Sequence, residues 1–184
     1  AAAAHLHLQP FPGSDAALYG AMAKVIVDRG LFDARFLKAH CRNVEAFLEA
    51  VHAYDVLWAA DACGIAPELI EEAAVTYGRA PAAAILFSTG VEASGVEAIQ
   101  ALVNLALLTG NIGKAGAGVF ALTEHNNLQG VCDMGMLPNR LPGYVPVADD
   151  AGRRSFELPW GAPLPVKPGQ GAEQLLGRQG KGAV

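Results

Sequence analysis

The densest hydrogen-bonding chemistry in the chain lies in Thr123-Glu124-His125-Asn126-Asn127-Leu128-Gln129-Gly130-Val131-Cys132-Asp133-Met134-Gly135. Two adjacent asparagines, a glutamine and a histidine both donate and accept, which is what the edge of a heterocycle or a phosphate asks for. Gly130 and Gly135 let a ligand come close to the backbone. The same residues have a plainer use, because Asn126 or Asn127 suits the N-cap of a short helix running through Met134. Residue types alone leave both readings open. Glu124 beside His125, with Cys132 and Asp133 following, invites a general base or a metal ligand set. Successive residues on an extended segment point to opposite faces, however, so Glu124 and His125 do not share one site.

Two other candidates are weaker. His5 and His7 alternate to one face of an expected strand and could ligate a metal, but paired strand histidines near a terminus are more often solvated, so no metal is assigned to them. The glycines at 113, 116 and 118 could cradle a phosphate. Their spacing matches neither G-x-G-x-x-G nor the P-loop, and no strong helix start follows, which favours a flexible turn.

Composition narrows the function classes. A net charge of −5 leaves no basic footprint for phosphate backbones, and the scattered aromatics make no stacking platform, so nucleic acid is not an expected partner. No apolar run approaches the roughly 18 residues of a membrane span, and the Ala-rich start lacks the features of a secretory signal. Cys41, Cys63 and Cys132 are odd in number and far apart, which argues against disulfides and against a zinc or iron–sulfur site within the chain. Each thiol is expected to pack as a small apolar group in a reducing, cytoplasmic setting.

The elements that must position the cluster can be read from periodicity. Alternation at His5-Leu6-His7-Leu8 predicts a strand, stopped by Pro10-Phe11-Pro12-Gly13. Ser14 or Asp15 can cap a helix whose Leu18, Met22, Val25 and Ile26 share one face, until Gly30 ends it. Shorter helices follow over 33–40 and 43–52, then a mixed segment over 54–62. Pro67 at a first turn, with Glu68, Glu71 and Glu72 near the positive end of the dipole, predicts a helix over 66–79. The apolar run over 82–87 predicts a strand buried on both faces. The almost uniformly apolar run over 96–108 predicts a buried helix, and residues 119–122 a short strand.

Helix, buried strand, glycine turn and buried helix are the unit of a doubly wound α/β layer, so the turn over 90–95 is a candidate ligand edge. From Pro138 on, prolines punctuate a stretch with little periodicity except a short helix near 172–178 and a strand beginning at 180. So long an irregular run suggests a segment that wraps a neighbouring domain or leads into one.

The cluster carries more than its chemistry. Residues 126–138 with Leu141-Pro142-Gly143-Tyr144 closely resemble the NN-x-QG-x-x-DMG-x-x-P…PGY segment of formate dehydrogenase α-subunits, in the molybdopterin oxidoreductase (dimethyl sulfoxide reductase) superfamily. Pro12-Gly13-Ser14-Asp15-Ala16-Ala17-Leu18 is similar to that family's PG-[ST]-D-x-AL helix start, and residues 105–118 to its NLALLTGNIG-x-x-G-x-G turn. The related G-subunit of NADH-quinone oxidoreductase belongs to the same superfamily.

This resemblance implies a fragment of a large oxidoreductase subunit. Residues 1–122 would be part of a Rossmann-like doubly wound α/β domain, and residues 123–184 a crossing motif and irregular, Pro-rich extension leading into a neighbouring domain. The family's cofactor is a molybdenum or tungsten ion held by molybdopterin guanine dinucleotide. The resemblance places His125, Asn126, Asn127, Gln129, Gly130 and Asp133 near the pterin. It implies that the metal-ligating cysteine or selenocysteine and the [4Fe-4S] cysteines lie upstream of Ala1, and a cofactor-clamping domain beyond Val184. No catalytic residue is then expected within 1–184. Other domains of the subunit and electron-transfer subunits are the implied partners, at the inner face of a membrane where a complex provides one. One departure stands inside the motif: Thr123-Glu124-His125 replace the Arg-Gly-Gln usual in formate dehydrogenases. A neutral hydroxyl beside a carboxylate, where a cation usually steers the formate anion, disfavours an anionic substrate.

Overall fold

The computed structural model describes residues 3–123, 125–171 and 174–175. They fall into two compact units, Ala1–Glu124 and His125–Val184. The first is a helical layer around a small parallel sheet. Helix α1 (Asp15–Asp28) buries Leu18, Met22, Val25 and Ile26, the face its periodicity predicts. It packs against α4 (Val56–Cys63), α5 (Pro67–Arg79) and α7 (Val96–Leu108). Gly20 on α1 leaves room for Tyr54 in the turn before α4, since a Cβ there would sit 2.3 Å from the Tyr54 ring. Ser14 holds the N-cap position of α1 without capping it, its hydroxyl donating instead to the Phe11 carbonyl at 2.7 Å.

Two of the shorter helices begin on aspartates, as an acceptor at the N-cap should make them. Asp33 accepts from Phe36 N at the start of α2 (Ala34–His40), and Asp55 from Leu57 N and Trp58 N at the start of α4. Between them, α3 (Val44–Val51) follows a left-handed Asn43. Among the thiols, Cys63 is fully buried in this core, while Cys41 and Cys132 are half-buried.

Strand β1 (Ala84–Phe87) pairs in parallel with β2 (Gly118–Ala121), Leu86 opposite Phe120, and Leu122 N extends the ladder to Phe87 O at 2.7 Å. With α7 between them in sequence, the strands form a strand–helix–strand unit. The fold is therefore mixed α/β, mostly helical with small sheets. Two expectations fail here. Residues 5–8 form no strand; they keep the alternation of exposed and half-buried side chains but have no ladder partner. β1 is shorter than the apolar run, and it is not buried on both faces: its residues alternate, and Leu86 is 61% exposed. Among the described residues the sheet has two strands, and the outward face has no covering layer. The glycine turn after β1 also contains a short helix, α6 (Thr89–Ala93), started by Val91 N and Glu92 N on the Ser88 carbonyl.

A buried carboxamide joins the helical layer to the sheet. Asn111 has no exposed surface. Its Oδ1 accepts from Ala83 N at 3.1 Å, its Nδ2 donates to Thr109 Oγ1 at 2.9 Å, and its own N–H donates to Ala106 O at 2.8 Å. The end of α7 is thereby fixed to the residue before β1. The Tyr77 phenol is buried beside the same Thr109 and Asn111, and burial raises its pKa while these polar neighbours pull it partly back.

The second unit contains α8 (Leu128–Asp133), the antiparallel pair β3 (Arg140–Leu141) and β4 (Val145–Pro146) joined by a 3-10 turn at Pro142–Tyr144, and α9 (Asp150–Trp160). Helix α9 corrects the expectation of an irregular tail. Its apolar pattern is sparse, and what holds it is a polar ladder. Asp149 caps Ala151 N, and the buried Arg153 donates from Nη1 to Val147 O at 3.2 Å and from Nη2 to Asp150 Oδ1 at 2.5 Å. Arg153 Nε faces Glu157 Oε1 at 3.4 Å, and that carboxylate accepts from Leu164 N at 3.0 Å. Residues 161–171 carry no regular element. Of the helix expected over 172–178 only Gln174 and Leu175 are described, both helical, and the strand expected from 180 lies outside the described residues.

Two outcomes follow for stability. Asn111→Ala leaves Ala83 N without its acceptor in a dry site, so urea unfolding should show a loss of about 1–3 kcal/mol. In α9, Arg153 holds the Asp150 carboxyl below its usual range, first by hydrogen bonding and then by charge. A lowered folded pKa stabilises above the unfolded value of about 4, and that stabilisation is lost as pH falls through the folded pKa. Circular dichroism against pH should therefore show an acid-driven loss of helix in the wild type that is diminished in Arg153→Met.

Candidate functional site

The sequence-predicted cluster divides between the two units. Thr123 is the last described residue of the first and is half-buried, Glu124 lies outside the described residues, and His125 to Gly135 belong to the second. Helix α8 forms where the plainer reading put it, over Leu128–Asp133, with Asn127 at the N-cap position and Met134 just past its end. The cap itself differs. Asn127 is left-handed (φ 56°, ψ 35°), a conformation asparagine tolerates better than most residues, and its side chain makes no capping hydrogen bond. Its carboxamide lies over Gly130 instead: a Cβ at 130 would fall 2.5 Å from Asn127 Oδ1. Helix and amide display are thus compatible, because the backbone turns at Asn127 without consuming its side chain in a cap.

The far end of α8 is set by a close approach. Gly135 has φ +77°, and a Cβ there would meet Pro142 N at 2.5 Å. The chain after α8 is in this way pressed onto the Pro142–Tyr144 turn. Tyr144 takes up a left-handed φ of 61°, an unusual conformation for an aromatic residue and one that costs on the order of 1–3 kcal/mol. Its phenol pKa is raised, by desolvation first and then by the negative charge available to Cys132 and Asp133.

His125, Asn126, Asn127, Gln129 and Asp133 are exposed and Gly130 is half-buried. The structure brings Asn127 onto Gly130, and sets Asp133 and Cys132 near Tyr144. It does not join His125, Cys132 and Asp133 into a ligand set: among the described residues no group of three His, Cys, Asp or Glu side chains is placed to hold a metal ion. Sequence reasoning missed Tyr144 as a member of this site. Its signal was the Pro-Gly pair before it, which forces a tight turn but does not say what the turn packs against. Leu128, Met134 and Met136, within the same stretch of sequence, are also exposed.

The other candidate edge, residues 90–95, belongs to the first unit. There a groove of about 630 Å³ is lined by Pro10, Phe11, Gly13, Asp15, Gly90 and Ser94, and the Ser94 hydroxyl donates to Asp15 Oδ2 at 2.6 Å. That bond ties α6 to the first turn of α1. The glycines at 113, 116 and 118 all have positive φ, as a tight turn requires. No helix of the described residues is long and apolar enough to cross a membrane.

No family model matches the chain. Individual proteins do. It is 42% identical over 178 residues to the F420-dependent formate dehydrogenase subunit alpha of Methanocaldococcus jannaschii, covering 96% of the chain and 26% of that protein. It is 39% identical over 184 residues to formate dehydrogenase H of Escherichia coli, covering 98% of the chain and 26% of that protein. With the probable oxidoreductase YjgC of Bacillus subtilis the identity is 36%, over 93% of the chain and 18% of the relative. Among solved structures, acetylene hydratase from Pelobacter acetylenicus superposes with a TM-score of 0.58 at 28% identity, over 61% of this chain and 16% of that one. The chain thus spans about a quarter of the length of the formate dehydrogenase subunits it matches. Since the likeness runs through almost all of its residues, the chain belongs to the molybdopterin oxidoreductase superfamily, as a segment related to formate dehydrogenase α-subunits.

Proposed function

We propose that residues 126–135 face the pterin of a molybdenum or tungsten molybdopterin guanine dinucleotide in a larger oxidoreductase subunit that acts on a small substrate of the formate class. The observation that carries this reading is that Asn126, Asn127 and Gln129 are all exposed around the start of α8, where a left-handed Asn127 lies over a side-chain-free Gly130. A pterin edge alternates donors and acceptors, and carboxamides are the side chains that match both without bringing charge. His125 and Asp133 stand at the two ends of this stretch of sequence, and Met134 and Met136 are exposed after it. When bound, the cofactor supplies the two-electron redox chemistry. The residues of this chain bind and orient it, and none of them is assigned a catalytic role. The [4Fe-4S] cluster and the metal-ligating residue belong to the parent outside residues 1–184.

In this reading residues 1–122 are part of a Rossmann-like doubly wound domain, supported by the parallel unit of β1, α7 and β2. Residues 123–184 cross into a neighbouring domain. The subunit works in the cytoplasm, with electron-transfer subunits that can bring it to the inner face of a membrane. Thr123 favours a second reading. Without the family's arginine the substrate anion loses its cation, as fits a segment like the NADH-quinone oxidoreductase G-subunit whose pterin site has become structural.

Metal and pterin analysis of the full-length subunit separates the two. Stoichiometric molybdenum or tungsten with pterin is the expected result, and neither metal nor pterin is the result of a structural site. In a cofactor-bearing subunit, Asn127→Ala and Gln129→Ala should lower pterin content severalfold, roughly what losing a 1 kcal/mol hydrogen bond does. Unchanged occupancy in both would remove the assignment. Thr123→Arg restores the cation and should lower the KM for formate by about tenfold, the equivalent of 1.4 kcal/mol from a charge-assisted hydrogen bond. Steady-state kinetics on the loaded subunit reads it.

A further inference from the structure

Glu97, Gln100 and Asn104 interrupt the otherwise apolar sequence of α7, and all three line one pocket. They fall at i, i+3 and i+7, the spacing of a single helix face. Three aromatic side chains line the same pocket: Tyr19 from α1, Phe47 from α3 and Tyr54 from the turn after α3. The pocket measures about 200 Å³ and lies wholly within the first unit. The rings and Asn104 are half-buried, while Glu97 and Gln100 are exposed, so solvent reaches the pocket past these two. Tyr54 is held from two sides. Its ring lies against Gly20, where any Cβ would collide with it, and meets Trp58 edge-on at 6.4 Å between centroids.

The lining carries one formal charge, and it is negative. Among the described residues Glu97 has no ion-pair partner, and the Gln100 and Asn104 side chains have no hydrogen-bond partner. Lys24 on α1 and His52 just after α3 both face Asp28 instead. Tyr19 adds no charge of its own, because desolvation and then the nearby Asp15 carboxylate raise its phenol pKa. The helix dipole by itself would favour a glutamate in the first turn of α7. It does not account for two unpaired carboxamides on the same face, opening onto a pocket with three rings.

We propose that this pocket binds a small free organic ammonium ion, which donates to the Glu97 carboxylate and to the Gln100 and Asn104 carboxamide oxygens and lays its alkyl part among the rings. A carboxylate and two carboxamide oxygens are acceptors for an ammonium group, and aromatic faces attract its charge. An anion would meet Glu97 with no cation to offset it, and a neutral ligand would take water from that carboxylate without replacing its hydrogen bonds. Size sets the other limit: the pocket is somewhat larger than the roughly 150 Å³ that encloses a benzene-sized molecule, so a nucleotide is too large for it. This site is separate from residues 126–135 and does not rest on the function proposed for them.

Saturation-transfer NMR on the full-length subunit tests the proposal, with n-butylammonium, 1-butanol and butyrate compared at constant ionic strength. Saturable transfer to n-butylammonium alone is expected. Equal signals from the three, a signal that never saturates, or none from the amine would each overturn it; the last is also what a lysine side chain of the subunit already filling the pocket would give. Glu97→Gln keeps the shape and removes the charge, and should weaken binding about tenfold, as replacing a charge-assisted hydrogen bond by a neutral one implies. Unchanged affinity would mean that the amine binds elsewhere. Hydroxyl-radical footprinting of the unmodified subunit needs no variant: saturating n-butylammonium should slow oxidation of Tyr19 and Tyr54, and unaltered rates at both would refute the site. None of these readouts depends on pterin or on activity.

Discussion

The first unit depends on a polar group in a place where polar groups are costly. Asn111 is wholly enclosed, and a carboxamide withdrawn from water without partners costs several kcal/mol. It is tolerated because its oxygen takes the Ala83 N–H and its nitrogen reaches Thr109. Apolar contacts between α7 and the sheet are non-directional and would allow one to slide on the other. The Asn111 bonds specify a single arrangement, since any slip would leave the carboxamide and the Ala83 amide buried and unmatched. The glycine turn that follows can then bend through several positive-φ positions and still deliver β2 alongside β1 in one register.

The second unit solves a related problem with charge. Among its described residues Val147 is the buried apolar side chain, and its helix α9 is pinned by a buried guanidinium. Arg153 is matched by a carbonyl and two carboxylates, so its charge is compensated where it sits. Around α8 the chain is held by shape: Gly135 admits the Pro142 backbone, and Tyr144 accepts a strained conformation. Strain of this kind survives only where the surroundings enforce it, and residues that do so are concentrated at binding sites. Among the described residues of this unit the two non-glycine residues with positive φ are Asn127, at the start of α8, and Tyr144, in the turn that Gly135 presses against.

Much of the first unit was legible because its helices are long and their periodicity is strong. The buried face of α1, the proline start of α5 and the full extent of α7 all follow from residue spacing. Residues 5–8 and 82–87 misled for a shared reason: a strand pattern records the side-chain environment, while a strand also needs hydrogen-bonding partners and a second layer, which a local pattern does not contain. Helix α9 was missed for the opposite reason. Its order comes from Asp149, Asp150, Arg153 and Glu157 acting at two, three and four residues' separation, which an apolar periodicity search passes over. At the site, the residue types pointed to α8 and to the amide row together, but not to Tyr144, whose place depends on the turn folding back past Gly135.

The two kinds of carboxamide in this chain also bear on how the departure at Thr123 should be weighed. Asn111 is wholly buried and held by the fold's own bonds, out of reach of a ligand, whereas Asn126, Asn127 and Gln129 are exposed to solvent. Binding a neutral heterocycle edge draws on such amides alone, and a cation at position 123 contributes nothing to it. Steering an anionic substrate draws on the cation and not on the amides. The frame that would hold a pterin and the charge that would select formate are thus separate properties, carried by different residues. A chain can lose the second while keeping the first, so the proposed cofactor contact around α8 does not depend on which substrate the parent subunit takes.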